Sequence, residues 1–115
     1  MLMIKGVGRA RAGKRGELLA AASRVASSSR ADDGCLSYGF YTDIEDADTV
    51  LSLEVWRDES ALAAHMGHEH TITFLASAAD LLEGTPVMSQ HTIDGPTAGP
   101  IAGSATSNDR TTLRY

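Results

Sequence analysis

Alternating hydrophobic and polar residues predict the first two β-strands, because side chains along a strand point to opposite faces in turn. The first strand is predicted from Met1 to Arg9 and the second from Cys35 to Thr42. On the first strand, one face is predicted to carry Leu2, Ile4 and Gly6. On the second, one face is predicted to carry Leu36, Tyr38 and Phe40. Between the two, residues 31–34 read as a turn in which Gly34 is free to take a positive φ.

The third and fourth strands are predicted at residues 49–56 and 86–93. The third strand is partly apolar on both faces. One face carries Leu51, Leu53 and Val55, and the other carries Val50, Ser52, Glu54 and Trp56. This pattern is typical of a sheet that is covered on both sides. We therefore expect helices on one face and a second subunit on the other.

Apolar residues at spacings of three and four predict the helices. A helix over residues 15–28 has an apolar stripe formed by Leu18, Ala22 and Val25. A short helix follows the third strand and is expected to end at Gly67, which is a common residue just past helix ends. A longer helix over residues 68–82 has a predicted buried stripe of Ile72, Leu75, Ala79 and Leu82.

The order of these elements is β-α-β-β-α-β, which predicts an α+β, ferredoxin-like antiparallel sheet with helices on one face. Residues 1–93 are expected to form this single domain. Residues 94–115 are rich in glycine, proline, serine and threonine, which predicts a C-terminal extension. Within it, residues 111–115 are a candidate edge strand.

Composition limits the partners that the protein is expected to have. The 115 residues carry a formal net charge of -5, whereas a nucleic-acid binder needs a basic surface. No apolar run approaches the about 20 residues needed to span a bilayer, and the start lacks the pattern of a signal peptide. Cys35 is the only cysteine, which excludes an internal disulfide. We expect a cytoplasmic protein that binds neither nucleic acid nor membrane.

The only tryptophan and three of the four histidines lie between Trp56 and His70. His65 follows Leu62 by three positions on the short helix, so both side chains are expected to face the sheet. Imidazole is a common general base in enzymes, so His65 is a candidate base or hydrogen-bond donor in a pocket. The alternative is a structural histidine that fixes the helix by bonding to a carboxylate such as Glu54.

Three imidazoles, those of His65, His68 and His70, raise the question of a zinc site. The spacing argues against it. Gly67 is expected to break the helix after the first histidine, and side chains two positions apart on a helix point about 200° away from each other. No metal is therefore expected. His68 is interpreted as a helix-start residue and His70 as a surface or pocket-mouth residue.

Other side chains in this region are candidate substrate contacts. Trp56 has the shape to stack on a planar aromatic substrate, although a lone tryptophan at a strand end more often packs in a core or an interface. Tyr38 and Tyr41 are candidates to bind a substrate oxygen, but alternation places them on opposite faces, so at most one lines a given pocket. Met66 and Phe74 complete the predicted substrate-binding set.

The phrase Glu54-x-Trp56-x-Asp58-x-x-Ala61-Leu62-x-x-His65 resembles the signature of antibiotic biosynthesis monooxygenase domains. The phrase Asp33-Gly34-Cys35-Leu36-x-Tyr38 is similar to the opening of that family's second strand, and Gly13-Lys14 also fits. The resemblance covers about residues 1–93. It implies a ferredoxin-like domain that pairs sheet to sheet into a dimeric α/β barrel, with a pocket between sheet and helices in each subunit.

The resemblance also implies an activity, although relatives include quinol oxygenases, haem-degrading enzymes and isomerases. We expect a homodimeric monooxygenase that needs no cofactor and uses O2 to oxidise a phenol or hydroquinone, such as an aromatic polyketide, to a quinone. His65 would be the base or donor, Tyr38 would hold a substrate oxygen, and Glu54 would orient His65. One alternative is a non-oxidative isomerase, cyclase or ligand-binding protein. Another is a structural dimer whose pocket is filled by its own side chains.

Two positions depart from particular members of the family. Haem-degrading members have a histidine ligand ten positions beyond the residue that matches His65, where this chain has Leu75, and they have a tryptophan in place of His65 itself. Haem is therefore not expected. Quinone-forming members use a pocket asparagine, whereas the only asparagine here is Asn108, in the extension. That arrangement is not reproduced.

Overall fold

The computed structural model describes residues 1–94, which form a four-stranded antiparallel sheet with three helices on one face. The elements are β1 (Leu2–Arg9), α1 (Arg15–Ser29), β2 (Cys35–Thr42), β3 (Thr49–Trp56), α2 (Glu59–Met66), α3 (Glu69–Leu81) and β4 (Val87–Thr92). The strand order is β2-β3-β1-β4, and each strand runs antiparallel to its neighbours. The predicted ferredoxin-like fold is confirmed. The predicted extension beyond residue 94, with its candidate edge strand, lies outside the described residues.

The core lies between the sheet and the helices, and it includes one predicted face of β1 and the predicted apolar stripe of α1. Leu2 and Ile4 of β1 are buried, as are Leu18, Ala22 and Val25 of α1. From β3, the buried residues are Val50, Glu54 and Trp56. No helix in residues 1–94 has both the length and the apolar character needed to cross a membrane.

A β-bulge at Leu36 changes the inward face of β2. Cys35 pairs with Trp56 and Ser37 pairs with Val55, so Leu36 has no partner on β3. The extra residue reverses the alternation at this point. Cys35 packs against the core, whereas Leu36 is 54% exposed. The prediction that Leu36 shares a face with Tyr38 and Phe40 is therefore wrong.

The buried stripe of α3 also differs from the prediction. Its buried residues are Thr71 and Ala78, whereas Ile72 and Leu75 are about half exposed. The helix packs against α1 with its small side chains buried, and Leu75 instead lines a cavity above the sheet. Periodicity alone did not distinguish the two stripes, because α3 is apolar around much of its circumference.

The turn between α1 and β2 is held against the start of α2. Gly34 has φ of 78°, and a Cβ at this position would overlap with the Ala61 methyl group. The Gly34 carbonyl accepts a hydrogen bond from the Arg57 N–H at 2.8 Å. The Asp58 side chain then caps α2 by accepting from the Ala61 N–H at 2.9 Å. These contacts bring the turn at residues 31–34 next to α2.

Candidate functional site

A cavity of about 410 Å³ lies between the inner face of the sheet and helices α2 and α3. Apolar side chains form most of its wall. The polar side chains that border it are those of Tyr38, Ser52, Glu54, His65, Thr71 and Gln90. A cavity of this size with a few convergent polar groups is typical of a small-molecule site. The hypothesis that the pocket is filled by the protein's own side chains is wrong for the described part of the chain.

His65 lies in the wall of this cavity and is held by Asp32. Its side chain is 2% exposed, and its Nδ1 lies 2.8 Å from Asp32 Oδ2. A carboxylate acceptor at this distance favours the tautomer that carries the proton on Nδ1. The lone pair is then on Nε2, at the ring edge that faces Glu54. In this tautomer His65 is able to accept a proton from a group in the cavity.

Asp32 also binds the other two histidines of the region. His70 Nε2 lies 2.9 Å from Asp32 Oδ2, and His68 Nδ1 lies 3.1 Å from Oδ1. The prediction that these imidazoles do not converge is wrong. His68 precedes α3 and has an extended backbone, with φ of −75° and ψ of 147°. The helical angle between positions 68 and 70 therefore does not apply.

These contacts favour the ionised form of the Asp32 carboxyl group. Burial by itself raises its pKa, but the hydrogen bonds from His65 and His70, together with the nearby His68 imidazole, outweigh that effect and hold the pKa below the usual value of 3.8. The side chain is 8% exposed. The buried carboxylate is therefore an acceptor placed among the imidazoles.

Glu54 borders the cavity but does not orient His65 directly. Its Oε1 accepts a hydrogen bond from Trp56 Nε1–H at 2.9 Å and lies 3.9 Å from His65 Nε2, which is too far for a hydrogen bond. Burial raises the pKa of Glu54 above its usual value of 4.5, and this outweighs the hydrogen bond from Trp56 and the charge of His65. By distance, Asp32 and not Glu54 is the carboxylate that is able to orient His65.

The Trp56 ring packs against the His65 ring and does not border the cavity. It is fully buried, and its ring centroid lies 4.4 Å from that of His65. The substrate-stacking role predicted for Trp56 is therefore wrong for this cavity, and the alternative of core packing is correct. Tyr38 does border the cavity, with its ring centroid 5.5 Å from that of His65. Burial, together with the charge of Glu54, outweighs the opposing effect of Ser29 and raises the pKa of the Tyr38 phenol, so the hydroxyl stays protonated.

The remaining predicted contacts divide between the two faces of the sheet. Met66 and Phe74 border the cavity, with Met66 48% exposed. Tyr41 pairs with Leu51 on the outer face and is 54% exposed. It does not border the cavity, so its predicted substrate contact is wrong for this site.

Sequence reasoning missed Asp32, His68 and His70 as members of one cluster with His65. A signal for Asp32 was present. Antiparallel pairing of β2 and β3 through Cys35 and Trp56 places the turn before β2 beside the helix that follows β3. No periodicity on α3 indicated the buried Thr71, whose Oγ1 lies 3.2 Å from His65 Nδ1.

The family of the chain follows from its sequence. Residues 1–77 match the model of the antibiotic biosynthesis monooxygenase family, and this is more than half of the 115 residues. The chain belongs to this family. The resemblance seen in the strand-to-helix phrase is thereby confirmed. In this monooxygenase-family domain, the matched segment contains every strand except β4 and most of the three helices.

Individual relatives share parts of this domain. A 69-residue segment, 60% of the chain, is 35% identical to the uncharacterised protein sll1783 of Synechocystis and covers 47% of it. A 69-residue segment is 33% identical to YcnE of Bacillus subtilis, a candidate monooxygenase by name, and covers 60% of this chain and 73% of YcnE. The structure of Rv0793 from Mycobacterium tuberculosis superimposes with a TM-score of 0.78 at 23% identity, over 84% of this chain and 98% of that one. The likeness to Rv0793 shows a shared fold. The chain spans about half the length of sll1783.

Proposed function

We propose that this protein is a monooxygenase that oxidises an electron-rich phenol or hydroquinone with O2 and needs no cofactor for the reaction. The observation that carries the proposal is the His65–Asp32 pair at the edge of a largely apolar cavity of about 410 Å³. Family membership and the name of the relative YcnE support a monooxygenase-like function. The apolar wall suits a planar aromatic substrate, and the polar groups suit the removal of one proton.

In this reaction the substrate itself supplies the electrons. A base removes the phenolic proton, and the resulting anion passes one electron to O2, which becomes superoxide. The two radicals combine at a ring carbon that carries hydrogen, which forms a C–O bond and then a protonated peroxide. Loss of water breaks the O–O bond and the C–H bond of that carbon and leaves a quinone carbonyl. One oxygen atom enters the product, and the other leaves as water with two substrate hydrogens.

The side chains around the cavity match the needs of this sequence. His65 accepts the phenolic proton on Nε2, and the Asp32 carboxylate at 2.8 Å stabilises the imidazolium that forms. The Tyr38 hydroxyl is the candidate donor to the developing oxyanion. Apolar residues such as Leu62 and Phe74 border the same space and would exclude water from the anion and the radical pair.

Oxygen uptake by the purified protein tests this proposal. We expect turnover of a phenol or hydroquinone from a panel of fused-ring substrates, with one quinone formed per O2 consumed. His65→Gln and Asp32→Asn should keep the fold and lower kcat by about 100- to 10,000-fold, the usual range for loss of general-base catalysis. Asp33→Asn is the matched control, because that side chain is 93% exposed and pairs only with Arg57 among the described residues. Oxygen uptake that is unchanged in His65→Gln would remove His65 from the mechanism.

A non-oxidative isomerase or cyclase is the second candidate, and one observation favours it. Glu54 is buried at the cavity with a raised pKa, so it is suited to return a proton that His65 has removed. Solvent deuterium incorporated into recovered substrate, with no O2 consumed, would support this alternative. Formation of quinone with O2 uptake would exclude it as the main activity.

We also infer that the protein forms a homodimer through the outer face of its sheet. The helices lie on the opposite face, so the outer face of a monomer has no helical cover within residues 1–94. Strand pairing places Met3, Val7, Leu51, Leu53, Val55 and Val87 on it. Hydrophobic side chains spread over one face of a sheet favour association with a second copy.

A further inference from the structure

We propose that Asp32, His65, His68 and His70 form a binding site for one divalent zinc ion, located behind the wall of the cavity. These four side chains each offer one ligand atom, and the four atoms all lie within 4.8 Å of one another. Only His65 among them borders the cavity. The zinc site therefore lies outside the space that the substrate would occupy. His65 is the one ligand that also borders the cavity.

The distances from Asp32 to the three imidazoles are near those between neighbouring ligand atoms around a tetrahedral zinc ion. The three imidazole nitrogens lie 2.8, 2.9 and 3.1 Å from the nearest Asp32 oxygens. Zinc bonds to nitrogen and oxygen of about 2.0–2.2 Å in a tetrahedron place neighbouring ligand atoms about 3.3 Å apart. An ion at the centre would separate the carboxylate slightly from the imidazoles and draw the three imidazoles closer together.

One atom in the cluster lacks a hydrogen-bond partner. His68 Nδ1 is buried and makes no hydrogen bond to any described residue, although Asp32 Oδ1 lies 3.1 Å away. This distance is short enough for a hydrogen bond, so it is the relative orientation of the two groups that prevents one. An unpaired buried nitrogen is costly, and coordination of a metal ion would use its lone pair.

The chemistry of the donor set favours zinc. Three imidazoles and one carboxylate are borderline donors of the kind that Zn²⁺ takes in closed, four-coordinate sites. Zinc does not change oxidation state, so it takes no part in electron transfer to O2.

The ligands come from different segments of the chain. Asp32 lies in the turn between α1 and β2, His65 in the last turn of α2, His68 in the link between helices and His70 in the first turn of α3. An ion bound by all four would connect these segments directly. Because it binds the folded chain and not the unfolded one, it should raise the melting temperature.

The ion would also affect His65 as a base, and this consequence rests on the proposed function. A neutral imidazole has one nitrogen with a free lone pair. When zinc occupies Nδ1, the proton must lie on Nε2, and His65 then donates a hydrogen bond to the cavity but accepts no proton. Zinc at the cluster should therefore inhibit turnover.

Zinc titration of the full chain, first stripped of metal with a chelator, tests the site. We expect saturation at one ion per chain with a rise in melting temperature, and at least about 10-fold weaker binding in His68→Gln and in His70→Gln. His91→Gln is the matched control, because His91 lies on β4 and bonds to Ser89 instead. Failure to saturate at one ion per chain overturns the site, and so does unchanged affinity in the two variants.

A second measurement does not depend on the variants. X-ray absorption at the zinc edge of the unchanged, loaded chain should show three imidazoles and one oxygen ligand at about 2.0–2.2 Å. Fewer than three imidazoles overturns the four-residue site. The inhibition that we expect is tested separately. Saturating zinc should abolish oxygen uptake by the unchanged chain, whereas unaltered uptake at full occupancy would contradict inhibition. If no substrate supports oxygen uptake, the proposed function fails, and the zinc titration still decides the site.

Discussion

At the scale of single residues, His65 is held on several sides by groups from different parts of the fold. Asp32 bonds to Nδ1, the Trp56 ring lies 4.4 Å away between centroids, and Thr71 contacts the ring from α3. An imidazole fixed in this way needs no reorganisation when it takes a proton, which is the condition for efficient general-base catalysis. Both original interpretations of His65 therefore have support. It bonds to a carboxylate, and it borders a cavity.

Glu54 gives a prediction for stability against pH. Its pKa is raised by burial in the folded chain, so the folded state keeps a proton that the unfolded state has lost. The free energy of unfolding should therefore fall as pH rises from about 4.5 through the folded pKa, and it stays lower above that value. Glu54→Gln removes this cost, because a neutral amide oxygen still accepts from Trp56. We expect the variant to be more stable than the unchanged chain at pH 7, with much less difference at pH 4.

Urea unfolding at both pH values measures this effect. Glu45→Gln is the control, because Glu45 is exposed and its substitution should change the free energy of unfolding little at either pH. A Glu54→Gln variant that is equally destabilised at both pH values would show that packing, and not buried charge, dominates at this position.

At the scale of secondary-structure elements, the site depends on how three chain segments meet. The turn after α1 carries Asp32, the end of α2 carries His65, and the start of α3 carries His70. The turn is close enough to α2 only because Gly34 has no side chain and has φ of 78°. A short contact between a turn and a helix thus positions the carboxylate against the imidazole.

Gly34→Ala and Gly13→Ala form a matched pair that separates the cost of a left-handed backbone from the cost of a steric overlap. Both glycines have a positive φ, of 78° and 76°, so each alanine should cost about 1–2 kcal/mol for the left-handed backbone. At Gly13 a Cβ meets nothing within 4 Å, whereas at Gly34 it overlaps with the Ala61 methyl. We expect an additional loss of about 1–3 kcal/mol in Gly34→Ala from overpacking. Chemical denaturation measures both, and equal losses would contradict the close contact with α2.

At the scale of the whole molecule, the fold has a helix-covered face and an apolar open face. Leu51, Leu53 and Val55 are each half-buried on the outer face of β3, and Val87 on the edge strand is 72% exposed. In the dimer that we propose, the second sheet would cover these side chains, and the cavity would remain between the sheet and helices of each subunit.

Leu53→Asp tests the dimer. A charge in the middle of the outer face should be costly once that face is covered, so the variant should be monomeric or much more weakly associated. Light scattering should give twice the 12.1 kDa of one chain for the unchanged protein and a lower mass for the variant. Ile44→Asp is the control, because Ile44 is fully exposed in the loop between β2 and β3. A mass of 12.1 kDa for the unchanged protein in dilute solution would refute the dimer.

The sequence by itself determined the element order, nearly all element boundaries, the two faces of β1 and the apolar stripe of α1. These features depend on local periodicity and on glycine and capping residues, which act over a few positions. The break between α2 and α3 at Gly67 was predictable for the same reason. The family was also readable from the phrase around Trp56 and His65, which lies within one strand-to-helix connection.

Only the tertiary structure decided which side chains meet. Asp32 reaches His65 and His70 across 33 and 38 positions of sequence, and local periodicity carries no information about contacts over such separations. The bulge at Leu36 depends on pairing with β3, and the inward stripe of α3 depends on packing against α1. The histidine cluster exists because His68 precedes the helix with an extended backbone while His70 is inside it. A helical angle calculated from sequence spacing does not describe that geometry.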